Sequence, residues 1–240
     1  MDYIRIWRSA WAIAAAMLLA SCQIDSTALV RAFDIKNVAQ TGVPVLVNVA
    51  ISAVFASRSW CEDEGAMAIS ALGSAAVPIR PVSCKEVGGK GAGQFSLTTN
   101  LVRTAGGRDP GTVVEEVLDG NLVRFAVFPH GRHKDLLSVG IFLDTAKLAA
   151  AKAELVKMPV FQEGLYAGEV GLTFSIVVTN DLPNMAKFYL KDVSADADLP
   201  SDESVLEIPS GGRETITLDP EKQAKVMQQG WVNFFAMAAR

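Results

Sequence analysis

Residues 44–55 read PVLVNVAISAVF, and Val45, Val47, Val49 and Ile51 recur at every second position. A period of two places these β-branched side chains on one face of a strand. Further strand-like segments are predicted at residues 78–85, 94–102, 121–129, 136–143, 169–179, 186–194, 204–208, 214–218 and 231–238. The sequence therefore predicts an α+β protein that is β-rich, with antiparallel sheets and a few short helices. Two hairpins are expected, one around HGRHKD (residues 130–135) and one around PSGGR (residues 209–213).

Three segments carry helical signals. Residues 62–76 are rich in alanine and begin with acidic residues, which favour a helix N-terminus. Residues 144–156 begin with Asp144, a good N-cap, and continue with strong helix formers. Asp219 and Pro220 predict the start of a third helix, and Gly230 predicts its end. A continuous helix to residue 238 is the alternative to a last strand.

Two segments of the chain resemble each other, SVGIFLDTAKLAAAK (residues 138–152) and ETITLDPEKQAKV (residues 214–226). Both read as a strand, a capping aspartate and a helix. The matched residues are Ile141, Leu143, Asp144, Lys147 and Ala149 with Ile216, Leu218, Asp219, Lys222 and Ala224. The likeness favours two related β-rich modules, at residues 41–157 and 160–240. Chance recurrence of a common junction is the alternative.

The N-terminus, MDYIRIWRSAWAIAAAMLLASC, has the pattern of an export signal. Arg5 and Arg8 precede an apolar run at residues 10–20. That run is shorter than the roughly 20 residues that a membrane-spanning helix needs. It is typical of a signal peptide, here residues 1–21, which is removed on export.

Leu19, Ala20, Ser21 and Cys22 resemble the lipobox of bacterial lipoproteins. The resemblance implies cleavage before Cys22, a diacylglycerol on its thiol and acylation of the new amino group. Several acyl chains anchor a protein stably in a membrane. Gln23, in place of aspartate, implies the outer membrane and a body that faces the periplasm, with the inner membrane less favoured. Residues 22–40 would be a lipidated tether; an ordinary secretory signal with a chance cysteine is the alternative.

Charge and composition limit the partners of the mature chain. Removing Asp2, Arg5 and Arg8 from the 26 acidic and 22 basic residues leaves 25 and 20, a net charge near −5. The chain has no long basic cluster, which argues against nucleic-acid binding. The acidic balance also disfavours electrostatic adsorption to anionic lipid. Membrane attachment is therefore expected through the lipid on Cys22.

Cys61 and Cys84 are the two cysteines left after Cys22. An even pair in an exported chain predicts a disulfide bond. It would close a loop of about 24 residues, worth roughly 3 kcal/mol in the chain-entropy model. The alternative, half of a metal site, lacks further cysteine or nearby histidine ligands.

No motif in the sequence nominates a catalytic, cofactor or metal site. His130 and His133 form H-x-x-H, which we interpret as a solvated hairpin tip because no further ligand is placed beside them. GGKGAG (residues 88–93) lacks the order of a phosphate loop and is predicted to be a flexible loop. Carboxylates 62–64 are expected in the first turn of a helix. The aromatic residues Trp60, Trp231, Phe234 and Phe235 are expected in the core rather than in an exposed recognition surface.

The arrangement of residues 45–97, with Cys61 and Cys84 between Val-rich strands, resembles lipoproteins encoded by phages and prophages, a family without an assigned activity. The resemblance implies no catalytic residue. We therefore expect a non-enzymatic envelope binding or structural module with an envelope protein partner. One specific form is superinfection exclusion, in which the lipoprotein masks a phage receptor. The alternatives are an envelope hydrolase with an unrecognised site and a self-associating assembly factor.

Overall fold

A computed structural model describes residues 23–55, 57–74, 79–104, 113–130, 133–157, 171–190 and 205–238. The described residues form eleven strands and five helices. The strands are β1 Gln23–Arg31, β2 Val45–Phe55, β3 Ile79–Val87, β4 Lys90–Arg103, β5 Val123–His130, β6 His133–Leu143, β7 Gly171–Thr179, β8 Ala186–Tyr189, β9 Val205–Ile208, β10 Arg213–Thr217 and β11 Trp231–Ala238. The helices are α1 Ala32–Thr41, α2 Arg58–Ser74, α3 Val114–Leu118, α4 Thr145–Val156 and α5 Pro220–Gln229.

The strands belong to one mixed sheet. Its order is β10-β7-β1-β2-β4-β5-β6-β11-β8-β9, and β3 pairs with β4 beside this path. The β1–β7 and β4–β5 pairs are parallel and the other pairs are antiparallel. β9 and β10 lie at opposite ends of the order but are joined by a short turn, so the sheet is nearly closed. The predicted β-rich α+β class is confirmed.

The main core is built by alternating positions of the strands. In β2, Val47 and Val49 are buried, and their neighbours Leu46, Asn48 and Ala50 are exposed, as the period of two predicts. Ile35 and Val38 of α1 and Val226 of α5 belong to the same apolar cluster. Full burial of one such side chain stabilises the fold by about 1.5–3 kcal/mol. The amphipathic helices and the sheet thus share one hydrophobic core.

β5 and β6 are buried on both faces. Phe125 and Val127 contact the main core, whereas Ala126 and Phe128 pack in a second cluster with Val117 of α3. This double burial explains why the segment VRFAVFPH lacks the alternation of β2. The short helix α3, which the sequence did not predict, covers the second face.

The structure of residues 23–41 differs from the prediction. The sequence predicts a tether with a first short element at residues 22–40, whereas residues 23–40 form β1 and most of α1. β1 lies inside the sheet between β2 and β7, and Ala28 and Val30 are buried. The polar residues that indicated a tether, such as Asp25 and Thr27, occupy the outward-facing positions of a strand whose side chains alternate between the two faces of the sheet.

The sheet also joins strands from both predicted modules. β11 of the second predicted module pairs with β6 of the first. Residues on both sides of the predicted boundary contribute to one apolar cluster, for example Val139 and Ile176. The boundary itself, at residues 158–159, lies outside the described residues.

The two segments that resemble each other fold alike. β6 leads into α4, and β10 leads into α5. Asp144 accepts a 2.8 Å hydrogen bond from the backbone N–H of Lys147, and Asp219 accepts one of 2.8 Å from that of Lys222. Both lysine Nζ atoms donate to a backbone carbonyl elsewhere, Lys147 to Gly120 and Lys222 to Leu190. Both predicted caps are confirmed, as is Gly230 in the left-handed region at the end of α5.

Two local predictions need correction, and one is confirmed. α2 begins at Arg58, so Glu62 lies in its second turn, where it pairs with Arg58 at 2.8 Å. β9 and β10 follow each other around PSGGR, yet the described ladders pair β9 with β8 and β10 with β7 instead of making a hairpin. The predicted last strand is confirmed as β11, which continues to Ala238 and excludes the alternative of a continuous helix.

Candidate functional site

β1 gives the molecule two distinguishable ends. Cys22 lies outside the described residues, but Gln23 follows it by one peptide bond, which spans about 3.8 Å between Cα atoms. Gln23 is already paired with Gly171 of β7. No described tether therefore separates the predicted lipidation site from the sheet. We call this end of β1 the Gln23 end and the other the Arg31 end.

The predicted cysteine pair lies near the Gln23 end. Cys61 of α2 and Cys84 of β3 have Cα atoms 5.8 Å apart and sulfur atoms at bonding distance. This Cα separation is within the usual range for a disulfide. Cys61 is almost fully buried. The pair therefore has the geometry of a disulfide bond between α2 and β3.

The glycines of GGKGAG surround this cysteine pair, and the predicted flexible loop is wrong. Gly88 and Gly89, with φ of 59° and 76°, form the tight turn between β3 and β4. A side chain with Cβ at Gly91 would lie 2.1 Å from the carbonyl oxygen of Ser57, and one at Gly93 would lie 3.0 Å from Sγ of Cys61. Gly91 and Gly93 are strand residues that let the start of α2 pack against β4. The motif is structural.

A groove opens at the Arg31 end, where β1 and β2 separate. The ladder between these strands extends from Ile24↔Ala53 to Ala28↔Val49. Beyond it, the groove has a volume of about 320 Å³, and its lining includes Leu29, Arg31, Leu46, Asn48, Thr179 and Arg213. Leu29 and Leu46 are 48% and 72% exposed. Two large apolar side chains thus face solvent in a concave surface.

The ladder geometry places two arginines on the same side of the groove. Arg31 pairs with Thr179, which pairs with Arg213 on the next strand. At about 4.8 Å per strand, the two arginine backbones are roughly 10 Å apart. Because both flank Thr179 at one level of the sheet, their side chains lie on one face.

The two arginines differ in their electrostatic surroundings. The Arg31 guanidinium donates two 2.8 Å hydrogen bonds to the Asp34 carboxylate and lies 3.8 Å from Asp181. The hydrogen bond to Asp34 and the charge of that carboxylate raise the pKa of Arg31. In the described part of the chain, Arg213 forms no ion pair within 4.0 Å. Arg213 is thus the cation placed to meet an acidic group.

Three further exposed apolar residues lie at the Arg31 end. Phe33 is in the first turn of α1, Val43 precedes β2, and Met185 precedes β8; they are 52%, 59% and 57% exposed. With Leu29 and Leu46, five of the nine exposed large apolar residues in the described part of the chain lie at this end.

His130 is not part of a solvated tip. It is 1% exposed, and its Nδ1 lies 2.8 Å from the hydroxyl oxygen of Ser138, which is fully buried. The prediction of a solvated tip is therefore wrong for His130. The side chain of His133 is not among those that the structure describes. A hydrolytic Ser–His pair needs access to substrate, and this pair lies in the interior.

The predicted core aromatics are largely confirmed. Phe234 and Phe235 are buried, and Trp231 stacks on Phe142 with ring centroids 6.3 Å apart. Trp60 is half-buried in α2. Within the described residues, no group of three or more His, Cys, Asp or Glu side chains is arranged to hold a metal ion.

Sequence reasoning missed the groove, although a signal was present. In β1 and β2, Leu29 and Leu46 occupy outward positions, which alternation normally fills with polar residues. A large apolar side chain on the solvent face of two strands indicates an interaction surface more directly than any motif in this chain.

None of the described helices is long and apolar enough to span a membrane. Comparison of the chain with protein-family models, curated proteins and solved structures found no match.

Proposed function

We propose that this chain is a lipoprotein anchored to the outer membrane through Cys22, and that its Arg31 end binds another envelope protein. One observation carries the proposal: the strand that starts one residue after Cys22 ends at the groove. β1 has nine residues. At about 3.3 Å per residue, it places the groove roughly 30 Å from the anchor. Lipidation would hold the Gln23 end at the membrane and direct the groove into the periplasm.

The groove fits an extended peptide segment that carries apolar residues and one acidic residue. Leu29 and Leu46 offer apolar area, and Arg213 offers a charge-assisted hydrogen bond to a carboxylate. β1 and β2 separate there, so the edges of both strands border the groove. Extended peptides commonly bind such edges through main-chain hydrogen bonds. A segment of an envelope protein is the partner that this chemistry favours.

Masking of a phage receptor is a narrower form of the same proposal. It requires the captured partner to be a surface-exposed outer-membrane protein, and it predicts reduced phage adsorption when the lipoprotein is expressed. Equal adsorption with and without the lipoprotein would exclude this narrower form and leave the general binding role intact.

Site-specific photocrosslinking in living cells tests the binding role. A photoreactive amino acid replaces Leu46 in the groove and, as a matched control, Met67, an exposed apolar residue of α2. We expect one dominant envelope protein to be captured from position 46 and not from position 67. Equal capture patterns at the two positions, or none at position 46, would contradict the proposal.

Charge reversal at Arg213 tests the acidic contact separately. Arg213→Glu in the protein with the photoreactive residue at position 46 should weaken capture of the partner. Lys225→Glu is the control, because Lys225 is an exposed cation of α5 paired with Glu221. Equal weakening by both variants would mean that net charge matters and the position of Arg213 does not.

A further inference from the structure

The hairpin of β3 and β4 extends past the start of β1. Ile24 pairs with Ala53, Ala53 with Gly93, and Gly93 with Cys84, so these residues lie at one level of the sheet. From that level, β3 continues for three residues to Val87 and then turns through Gly88 and Gly89.

The same level limits how far Cys22, which is outside the described residues, can lie beyond the sheet. Cys22 is two residues before Ile24, which allows a reach of at most about 7 Å, whereas Val87 is three strand residues beyond Cys84, or about 10 Å. The tip of the hairpin therefore reaches at least as far in this direction as the predicted lipidation site. A membrane that takes up acyl chains on Cys22 would meet this tip.

The tip, residues 87–90, is apolar and basic at its exposed positions. Val87 is 64% exposed, although it lies in a strand of a protein with a large core. Lys90, its partner in the ladder, is exposed, and Val54 of β2 is 46% exposed at the same end. An apolar side chain with a neighbouring lysine matches the boundary between acyl chains and anionic headgroups.

The tip is also held firmly against the body. Cys84 of β3 is joined to Cys61 of α2, and the Cys61 N–H donates a 3.1 Å hydrogen bond to the carbonyl of Ser57. Gly91 of β4 packs so closely against that carbonyl that there is no room for a Cβ atom. Because these contacts brace both strands of the hairpin, the direction of the tip is set by the fold.

We propose that residues 87–90 are a second membrane contact, in which Val87 enters the interfacial region of the same bilayer that holds the acyl chains of Cys22. The inference rests on the proposed lipid anchor. The anchor keeps the tip at the bilayer at high effective concentration, so a single exposed valine suffices for contact. Two contacts, Cys22 and the tip, fix the orientation of the body on the membrane and keep the groove turned away from it.

Fluorescence of the lipidated full-length protein in vesicles tests the contact. Val87→Cys introduces a free thiol, because Cys22 carries lipid and the other two cysteines pair. It is labelled with an environment-sensitive fluorophore in phosphatidylethanolamine–phosphatidylglycerol vesicles. Leu46→Cys is the matched control at the other end of the body.

We expect blue-shifted emission and quenching by brominated lipids for the label at position 87, and water-like emission without quenching at position 46. Mass spectrometry of the same samples reports whether Cys22 is lipidated. If Cys22 is lipidated but the label at position 87 has water-like emission, the tip contact is overturned and the anchor is not. Cys22 without lipid would overturn the anchor and, with it, this inference.

Discussion

The Asp181 carboxylate accepts a 2.8 Å hydrogen bond from the backbone N–H of Phe33, a residue 148 positions earlier in the chain. Phe33 lies in the first turn of α1, and the side chain of the N-cap residue Arg31 makes no capping hydrogen bond to the helix backbone. The connection between β7 and β8 therefore caps the first helix. The same carboxylate lies 3.8 Å from Arg31 at the edge of the groove.

Replacement of Asp181 by alanine should destabilise the protein by about 1 kcal/mol, the usual cost of a lost N-cap. Chemical denaturation would measure the free energy of unfolding. Asp63→Ala is the control, because Asp63 is an exposed carboxylate of α2 away from any helix end, and we expect a change within about 0.5 kcal/mol. Equal losses in the two variants would argue against capping by Asp181.

Two glycine-to-alanine substitutions should have opposite effects. At Gly91, the new Cβ would lie 2.1 Å from the Ser57 carbonyl, so backbone must move, and we expect a loss of about 1–3 kcal/mol. Gly73 lies in α2 with no atom within 4 Å of a new Cβ, so alanine there should be neutral or stabilise by up to about 1 kcal/mol. The unfolding temperatures of both variants are compared with that of the wild type. A Gly91→Ala variant as stable as the wild type would contradict the close packing of Gly91 against Ser57.

The disulfide between Cys61 and Cys84 should stabilise the fold by roughly 3 kcal/mol, from the loop that it closes. We expect reductant to lower the unfolding temperature of the wild-type protein to that of the Cys61→Ala, Cys84→Ala double variant. Reductant should leave the double variant unchanged. Two free thiols in the oxidised wild-type body would show that the pair does not form.

Asn180 connects the turn after β7 with the turn after β9. Its side-chain amide donates to the carbonyls of Ile208 at 2.7 Å and Asn184 at 2.8 Å, and its Oδ1 accepts from the Leu182 N–H at 3.1 Å. Asn180 is fully buried. It therefore holds together the region where the two ends of the sheet approach each other.

Asn180→Asp should cost more stability than Asn180→Ala, although aspartate has nearly the shape of asparagine. The carboxylate would face two carbonyl oxygens without a hydrogen to donate, and an unsatisfied buried polar group costs about 1–3 kcal/mol, more when charged. Asn184→Ala, at an exposed side chain, is the control. If the alanine variant is the less stable of the two, side-chain packing rather than hydrogen bonding explains the role of Asn180.

Local sequence signals were sufficient for much of the fold. The alternation in β2 and the capping residues Asp144, Asp219 and Gly230 act over a few residues, so they can be read without knowledge of distant partners. The helix formers of α4 are equally local. These elements lie where the sequence predicts them.

The remaining features depend on contacts between distant parts of the chain. β1 looks polar in isolation, and only its parallel pairing with β7, about 150 residues later, makes it an interior strand. His130 lies near a turn, yet its burial and its hydrogen bond to Ser138 come from the packing of β5 and β6. The groove forms because β1 and β2 separate after Ala28↔Val49, and no local pattern specifies that separation.

We propose that Cys22 carries the membrane anchor, one residue before β1 begins. The most direct measurement is mass spectrometry of the N-terminal peptide of the protein extracted from cell membranes. We expect a peptide that begins at Cys22 and carries a diacylglycerol on the thiol and an acyl chain on the amino group. A mature N-terminus at any other residue, or an unmodified Cys22 in membrane-extracted protein, would contradict it.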